Sequence, residues 1–289
     1  MAGEDLKRPT PGQWGRDSIA IVDSTQLRSR VDAIRWYHSI DVGYGITTPG
    51  VSTTPPLAGK ELPAFSGRSV LDIGAWDGYY SFLAEQQGAR RVVALDHYAW
   101  CLDWGAREAY WTECRERGTI PDLGRDQKDF WHPEAPGRAG FDLAREARKS
   151  QVEVVVGDFM TMDLATLGGP FDIVLFLGVL YHLKEPVTAL ERLRTICAEV
   201  LVIETEAIRV EGYDDANLLM FCPGDEVGRD YSDWYITTEA GLHGLCRGAG
   251  FDRTVTKRTH SFQSLRRPWG VPGLVPGIRP YRLAVHAYA

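Results

Sequence analysis

The chain has 289 residues, 44% hydrophobic and 11% aromatic, with a formal net charge of −7, enough apolar material for one large core and an acidic balance that argues against a general nucleic-acid binder. Five widely spread cysteines (101, 114, 197, 222, 246) form no C-x-x-C pair, so neither a disulfide framework nor a zinc site is suggested, and reduced, cytoplasmic thiols fit best. Met1 to Pro9 lack an apolar signal core, and the longest apolar stretch, near Ile173 to Leu180, falls far short of a membrane span.

Residues 1–24 are polar and rich in Gly and Pro, a lead-in to a helix expected from Ser24 to about Trp36. Trp36-Tyr37-His38-Ser39-Ile40-Asp41 follows, then glycines at 43 and 45. Two readings stay open: Trp36 and Tyr37 plug a sheet edge with His38 solvated, or the segment is a flap whose His38 or Asp41 lines an active-site mouth. Ser69 to Ile73 is an apolar run that ends in a turn with Gly74 and Gly78. An amphipathic helix closes at Gly88, and a second apolar run, Arg91 to Leu95, ends in Asp96. This is the pattern of a βαβ nucleotide site, with Tyr79, Phe82 and Leu83 as the buried helix face and Asp96 placed to accept ribose hydroxyls.

The glycine spacing then selects among ligands. A dinucleotide fingerprint, G-x-G-x-x-G, would need glycine where this chain has Trp76 and Tyr79, so a pyrophosphate could not lie against that backbone. Residues 97–150 form an insertion too long for an ordinary connection. It is dense in aromatics, including His97, Tyr98, Trp100, Trp104, Tyr110, Trp111, Phe130 and Trp131, which implies a private mini-core, an apolar substrate pocket, or both. A helix near Ala139 to Ala147 returns the chain to the sheet. Strand 3, Val152 to Val156, ends in Gly157-Asp158-Phe159; Asp158 either caps the turn or accepts from an adenine amine with Phe159 on the ring face.

Strand 4, Phe171 to Leu177, is apolar throughout, as a doubly buried parallel strand should be, and opens into Gly178-Val179-Leu180-Tyr181-His182. A helix from Pro186 buries Val187, Leu190, Leu193 and Ile196 or Cys197, and strand 5 is Val200 to Thr205. The period is then lost until a helix capped near Thr238. Two final strands, about Arg253 to Lys257 and Tyr281 to Tyr288, flank a segment with Pro268, Pro272, Pro276 and Pro280 that is not expected to be regular. From Arg253 onward there are seven Arg or Lys and no acid, either a solvated face or a nucleic-acid contact.

The D-x-G-x-x-x-G loop from Asp72, with an acid ending strand 2, resembles motif I of the class I S-adenosylmethionine (SAM) methyltransferases, with Trp76 where that family usually has its central glycine. The likeness extends to Trp36 to Asp41, Gly140-Phe141-Asp142-Leu143-Ala144, Leu177 to His182, Val202-Ile203-Glu204-Thr205 and Pro223-Gly224-Asp225. Together these resemble a methyltransferase family that includes the bacterial tRNA wobble-uridine carboxymethyltransferases and smaller relatives acting on natural products. The resemblance implies an α/β, Rossmann-like seven-stranded sheet of order 3-2-1-4-5-7-6 with strand 7 antiparallel. It also implies an N-terminal extension and flap over residues 1–66 and a catalytic domain over 67–289 carrying the insertion.

On the same resemblance, SAM would lie against Asp72, Gly74, Ala75, Trp76, Asp77, Gly78, Asp96, His97, Gly157, Asp158, Phe159, Leu177, Gly178 and Tyr181. No metal is required in principle. His182 is the first candidate for base, unless it only makes a helix-entry hydrogen bond, with His38 and Asp41 next. Carboxylated SAM would need a cation near the sulfonium, and Lys184 is the one in that loop. Three functions remain: methylation of oxygen or nitrogen on a small, aromatic or glycosylated natural product; tRNA wobble-uridine modification using the basic C-terminal hairpin; and SAM binding without catalysis. The long aromatic insertion and the acidity of the chain before Arg253 favour the small acceptor. Oligomeric state is not readable.

Overall fold

The computed structural model describes residues 23–261 and 276–289. Most of the expected lead-in, and the part of the proline-rich segment holding Arg266, Arg267, Pro268 and Pro272, lie outside the described residues. In chain order the elements are α1 (Ser24–Asp32), β1 (Ser69–Ile73), α2 (Tyr79–Gln86), β2 (Arg91–Asp96), α3 (Trp104–Arg117), α4 (Leu123–Phe130), α5 (Ala139–Arg148) and β3 (Glu153–Val156). They continue with β4 (Phe171–Leu177), α6 (Pro186–Ile196), β5 (Cys197–Val210), β6 (Leu219–Phe221), β7 (Tyr235–Thr237), α7 (Glu239–Gly248), β8 (Arg253–Ser261) and β9 (Ile278–Tyr288).

Strands β3, β2, β1, β4 and β5 pair in parallel. Strand β9 then pairs antiparallel with β5 from Val200 to Val210, and β8 pairs with β9. The expected order is therefore realised, with β8 and β9 as its sixth and seventh strands. The sheet has nine strands rather than seven, because β6 and β7 form a short hairpin attached to β5 at Ala207. Three-residue strands separated by a long irregular loop carry no readable period, which is why the sequence pattern between Thr205 and Ile236 looked structureless.

Alternation along each strand builds a core on both faces. Leu71, Ile73, Val93, Leu95, Val174 and Phe176 meet Leu190 and Leu193 of α6 and Leu242 of α7. On the opposite face Val70, Val92, Ala94, Ile173 and Leu175 meet Phe82 of α2, Phe141 of α5 and Leu27 of α1. Strand β1 is buried along its whole length, as the centre of a doubly covered parallel sheet must be.

Four boundaries differ from expectation for identifiable reasons. Helix α1 stops at Asp32 because the Trp36 indole N–H donates to the Val31 carbonyl (2.9 Å), satisfying a helix-end group while the chain turns away. Helix α2 buries Ser81, Phe82 and Ala84 rather than Tyr79 and Leu83, since the Ser81 hydroxyl turns inward to donate to Asp72 at 2.6 Å. In α6 Val187 is exposed and Ala189 takes its place in the buried stripe. Pro280 sits inside β9, opposite Ile208. Among the described residues, the last β9 position paired with β8 is the neighbouring Tyr281, so the proline lies at the end of the described β8–β9 ladder, where a missing N–H is tolerated best.

Within the insertion, α3 and α4 pack around a buried ion pair between Arg107 and Asp126 (2.9 Å), each 2% exposed. The Arg107 guanidinium also stands 3.8 Å from the Trp111 ring centre and donates to the Tyr98 hydroxyl at 2.7 Å. Removing one partner of such a pair leaves a stranded charge, so it fixes how α3 sits on α4.

Candidate active site

The loops at the carboxyl ends of β1, β2, β3 and β4, with Glu204 and Glu206 of β5, converge on one cavity of about 890 Å³, the place where open α/β sheets take ligands. Its floor is the β1 turn. Gly74 has φ +77, and a Cβ there would meet the Val179 side chain at 2.5 Å, so only glycine lets the turn pass under the β4 loop. Trp76 has φ +45, an uncommon state for a residue with a side chain.

Asp96, buried at the end of β2, holds the next layer together. One carboxylate oxygen accepts from the Trp76 N–H (2.9 Å) and the other from the Ala99 N–H (2.8 Å). Each oxygen keeps acceptor capacity facing the cavity. Burial raises the Asp96 pKa against these N–H contacts. Asp72, also on the wall, is pushed up to about 7 chiefly by burial. His97, Gly157, Asp158, Phe159, Leu177, Gly178 and Tyr181 line the same cavity with Ala75. The Asp158 carboxylate accepts from the Met160 N–H (2.9 Å) and the Thr161 hydroxyl (3.1 Å), and Phe159 stands edge-on to Phe176 at 5.3 Å.

Two residues expected at the cofactor do not reach the cavity wall. Gly78 (φ +84) faces inward, where a Cβ would strike Phe82 and Phe141 at 2.6–2.8 Å, so it serves helix packing. Asp77, 2% exposed, turns its carboxylate to the N-terminal segment and accepts the N–H groups of Tyr37 (2.6 Å) and His38 (2.8 Å). That contact fixes residues 37–38 to the β1 turn at the cavity wall. Trp36 beside them is buried, and Tyr37 stacks on Trp76 at 4.2 Å, which in turn stacks on Trp104 at 4.9 Å. The insertion thus supplies both a mini-core and a wall.

His38 lines the cavity. Burial lowers its pKa to about 4, and its Nδ1 has no hydrogen-bond partner. Asp41 is not brought to the site: it is exposed, its side chain accepts from the Gly43 N–H (2.8 Å), and it is not on the cavity wall.

His182 is brought to the site with partners that sequence reading missed. Its Nδ1 lies 2.9 Å from Asp233 Oδ1, 3.1 Å from the Ser232 hydroxyl and 3.3 Å from the Ser232 carbonyl oxygen. Tyr98 stacks on the imidazole at 5.2 Å. Burial alone would lower the His182 pKa; the charge of nearby Asp233, with Asp230 behind it, outweighs burial and raises the value. Burial pushes Asp233 itself up.

A second group was also missed. Arg282 of β9 pairs with both Glu204 and Glu206 of β5, and its Nη1 lies 3.1 Å from Glu206. Burial holds the Glu206 pKa up at about 8 despite that arginine. The two glutamates sit two residues apart on one face of a mostly apolar strand, a period-2 signal that could have marked them.

A Rossmann-like α/β fold whose β1 turn, β2 acid and β4 loop share one cavity defines a nucleotide-cofactor enzyme of the methyltransferase kind. Residues 54–254 match the family model described as a methyltransferase domain, and the chain belongs to that family, the class I SAM-dependent methyltransferases. Among curated relatives, the tRNA U34 carboxymethyltransferase of Idiomarina loihiensis is 26% identical over 208 residues, covering 71% of this chain and 53% of that protein. The enzyme of the same name from Aeromonas hydrophila is 27% identical over 210 residues, covering 71% and 52%. The chain spans about half the length of these relatives. Among solved structures, the N-terminal domain of EvdMO1, determined with S-adenosylhomocysteine (SAH) and D-fucose, aligns with a TM-score of 0.56 at 17% identity, covering 92% of this chain and 96% of that one.

The flap contact yields a test by pH. Asp77 has a folded pKa of about 6, raised by burial and by Asp96 against the Tyr37 and His38 N–H bonds; the facing imidazole Nδ1 is 3.9 Å away. Because the folded value lies above the unfolded one near 3.9, this group's contribution to stability is complete at low pH and is lost as pH rises through about 6. Asp77→Asn keeps one oxygen for both N–H groups and removes the titration. Urea unfolding from pH 4 to 7.5 is expected to show the variant gaining on the wild type by on the order of 1–3 kcal/mol between pH 4 and 6, then running level. Parallel curves across that range would refute the linkage.

Proposed function

We propose that this enzyme methylates an oxygen or nitrogen of a small-molecule acceptor enclosed between the flap, the aromatic insertion and the β4 loop. The observation that carries this reading is the cavity itself. Its volume suits a cofactor together with a compact partner, and Tyr37, Trp104, Tyr98 and Trp131 line it with aromatic surface suited to an aromatic ring or a sugar. A flap tied by two hydrogen bonds to Asp77 closes over a small ligand more readily than over a folded nucleic acid.

The residues fit SAM. Gly74, Ala75 and Trp76 would cradle its methionine end with Asp72 behind them, Asp96 would take the ribose hydroxyls beside His97, Asp158 and Phe159 with Gly157 would hold the adenine, and Leu177, Gly178 and Tyr181 would flank the sulfonium. When bound, SAM supplies an electrophilic methyl: the S–CH3 bond breaks as the new bond to the acceptor forms, leaving SAH and a proton to be released. The chain supplies alignment, which can account for much of the acceleration of an in-line displacement. His182 with Asp230 and Asp233 is the group at which the acceptor proton is lost; neutral His38 serves to shape the mouth of the cavity.

Plain methyl transfer is favoured over carboxymethyl transfer. Lys184 is exposed, with its ammonium 4.6 Å from the Trp234 ring centre, and does not line the cavity. Arg282 does line it, but its charge is divided between two glutamates. The names of the curated relatives support tRNA wobble-uridine modification as the second reading.

Two variants separate binding from chemistry. Asp96→Asn is expected to weaken SAH binding by about 1.5–3 kcal/mol, the scale of hydrogen bonds to a charged group, as read by calorimetry; an unchanged affinity would remove Asp96 from the ribose. His182→Gln should cut turnover by about 10²- to 10⁴-fold with SAH affinity nearly intact, and full activity would move proton removal elsewhere.

The acceptor class is tested with tRNA. Filter binding across a salt series should find only weak association, and labelled SAM should leave bulk tRNA unlabelled. Tight binding that falls steeply with salt, together with label in tRNA, would overturn the small-molecule reading.

A further inference from the structure

We infer that His182, Asp230 and Asp233 form a divalent-cation site on the cavity wall, of a kind suited to a first-row ion such as Mn²⁺. The inference rests on the reading that this cluster serves the acceptor, and it gives that cluster a cofactor.

Spacing comes first. One imidazole nitrogen and one oxygen from each carboxylate lie within 4.8 Å of one another. Metal-to-ligand bonds of about 2.0–2.2 Å put neighbouring ligands of a six-coordinate ion roughly 3 Å apart, the separation found between His182 Nδ1 and Asp233 Oδ1, 2.9 Å. Small side-chain rotations close the rest.

An orphaned acceptor is the second observation. Asp233 is 3% exposed, and its Oδ1 has no aligned hydrogen-bond donor, although the imidazole is within reach. A buried carboxylate oxygen left in that state is costly, and a cation between it and Nδ1 satisfies both.

Charge is the third. The nearby arginines are shared with other acids, Arg107 with Asp126 and Arg282 with Glu204 and Glu206, so Asp230 and Asp233 have only part of a countercharge each. The supporting shell is built as well. Asp230 accepts from the Ser232 N–H (2.7 Å) and hydroxyl, the Ser232 hydroxyl meets that of Tyr98, and Tyr98 is stacked on the imidazole. Such outer contacts orient ligating groups.

The donor set selects the ion. One nitrogen and two carboxylates favour Mn²⁺, Fe²⁺, Co²⁺ or Zn²⁺ over Mg²⁺ and Ca²⁺, which prefer oxygen alone. All three residues line the cavity, so the remaining coordination positions face the acceptor. There a cation lowers the pKa of a bound hydroxyl, whose proton departs to solvent.

The test uses the full chain, stripped with a chelator, desalted, saturated with SAH and titrated with MnCl₂. Calorimetry and the electron paramagnetic resonance signal of free Mn²⁺ should agree on one saturable site per chain. Asp230→Asn and Asp233→Asn should each weaken it about tenfold or more while SAH binding persists, which certifies the fold. No saturable uptake by the wild type up to about 1 mM Mn²⁺, or a site that survives both substitutions, overturns the proposal; the wild-type result stands even if a variant fails to fold. Turnover separates this inference from its parent reading. Activity lost in His182→Gln yet indifferent to chelator overturns the metal alone. Stoichiometric Mn²⁺ in a chain that methylates only tRNA supports the metal and overturns the small acceptor.

Discussion

The Asp96 carboxylate is the constraint on which the site depends. It stands at the end of a fully paired parallel strand, so its position is set by the sheet. From there its two oxygens reach the Trp76 N–H in the β1 turn and the Ala99 N–H at the start of the insertion. Two loops that share no secondary structure are thereby fixed to one rigid point. Burial makes the ionised form expensive, and each backbone donor that stabilises it also specifies a loop.

The same trade recurs across the cavity. Asp72, Asp77, Glu206 and Asp233 are all buried acids with raised pKa values. Each is held by a different device: a serine hydroxyl, two flap N–H groups, a shared arginine and an imidazole. An apolar lining of equal volume would be easier to fold. Burial brings Asp72, Glu206 and Asp233 to pKa values near neutrality beside one cavity, so groups able to hold or release a proton are retained there at a cost in stability.

What could be read from sequence was what has a local period. The run Ser69 to Asp96 announces strand, turn, helix and strand through apolar spacing and two glycines, and the structure has each element. The arrangement of residues far apart in the chain was not legible. Ser232 meets His182 across 50 positions, and Arg282 meets Glu204 across 78. Asp233 lies between β6 and β7 in a stretch without period, so nothing local marked it as the partner of an imidazole. The β1 turn also shows a limit of motif reading. Gly78 matches the family pattern and Asp77 precedes it, but a Cβ at 78 would strike two phenylalanine rings and the Asp77 carboxylate accepts the Tyr37 and His38 N–H groups. Matching a motif identifies the loop without saying which way each residue faces.

The departure from that motif, Trp76, explains why the flap and the insertion occur together. A non-glycine residue at φ +45 carries a strain of order 1–3 kcal/mol, which surrounding contacts must offset. Its N–H is held by Asp96 and its carbonyl accepts from the Trp100 indole at 2.7 Å. Its ring is clamped between Tyr37 of the flap and Trp104 of α3, contacts worth about 0.5–1.5 kcal/mol apiece beyond their burial. Remove either neighbour and the strained conformation loses part of its support. Glycine at this position would sit without strain and without linking anything. Tryptophan makes the N-terminal segment, the β1 turn and the insertion one continuous wall.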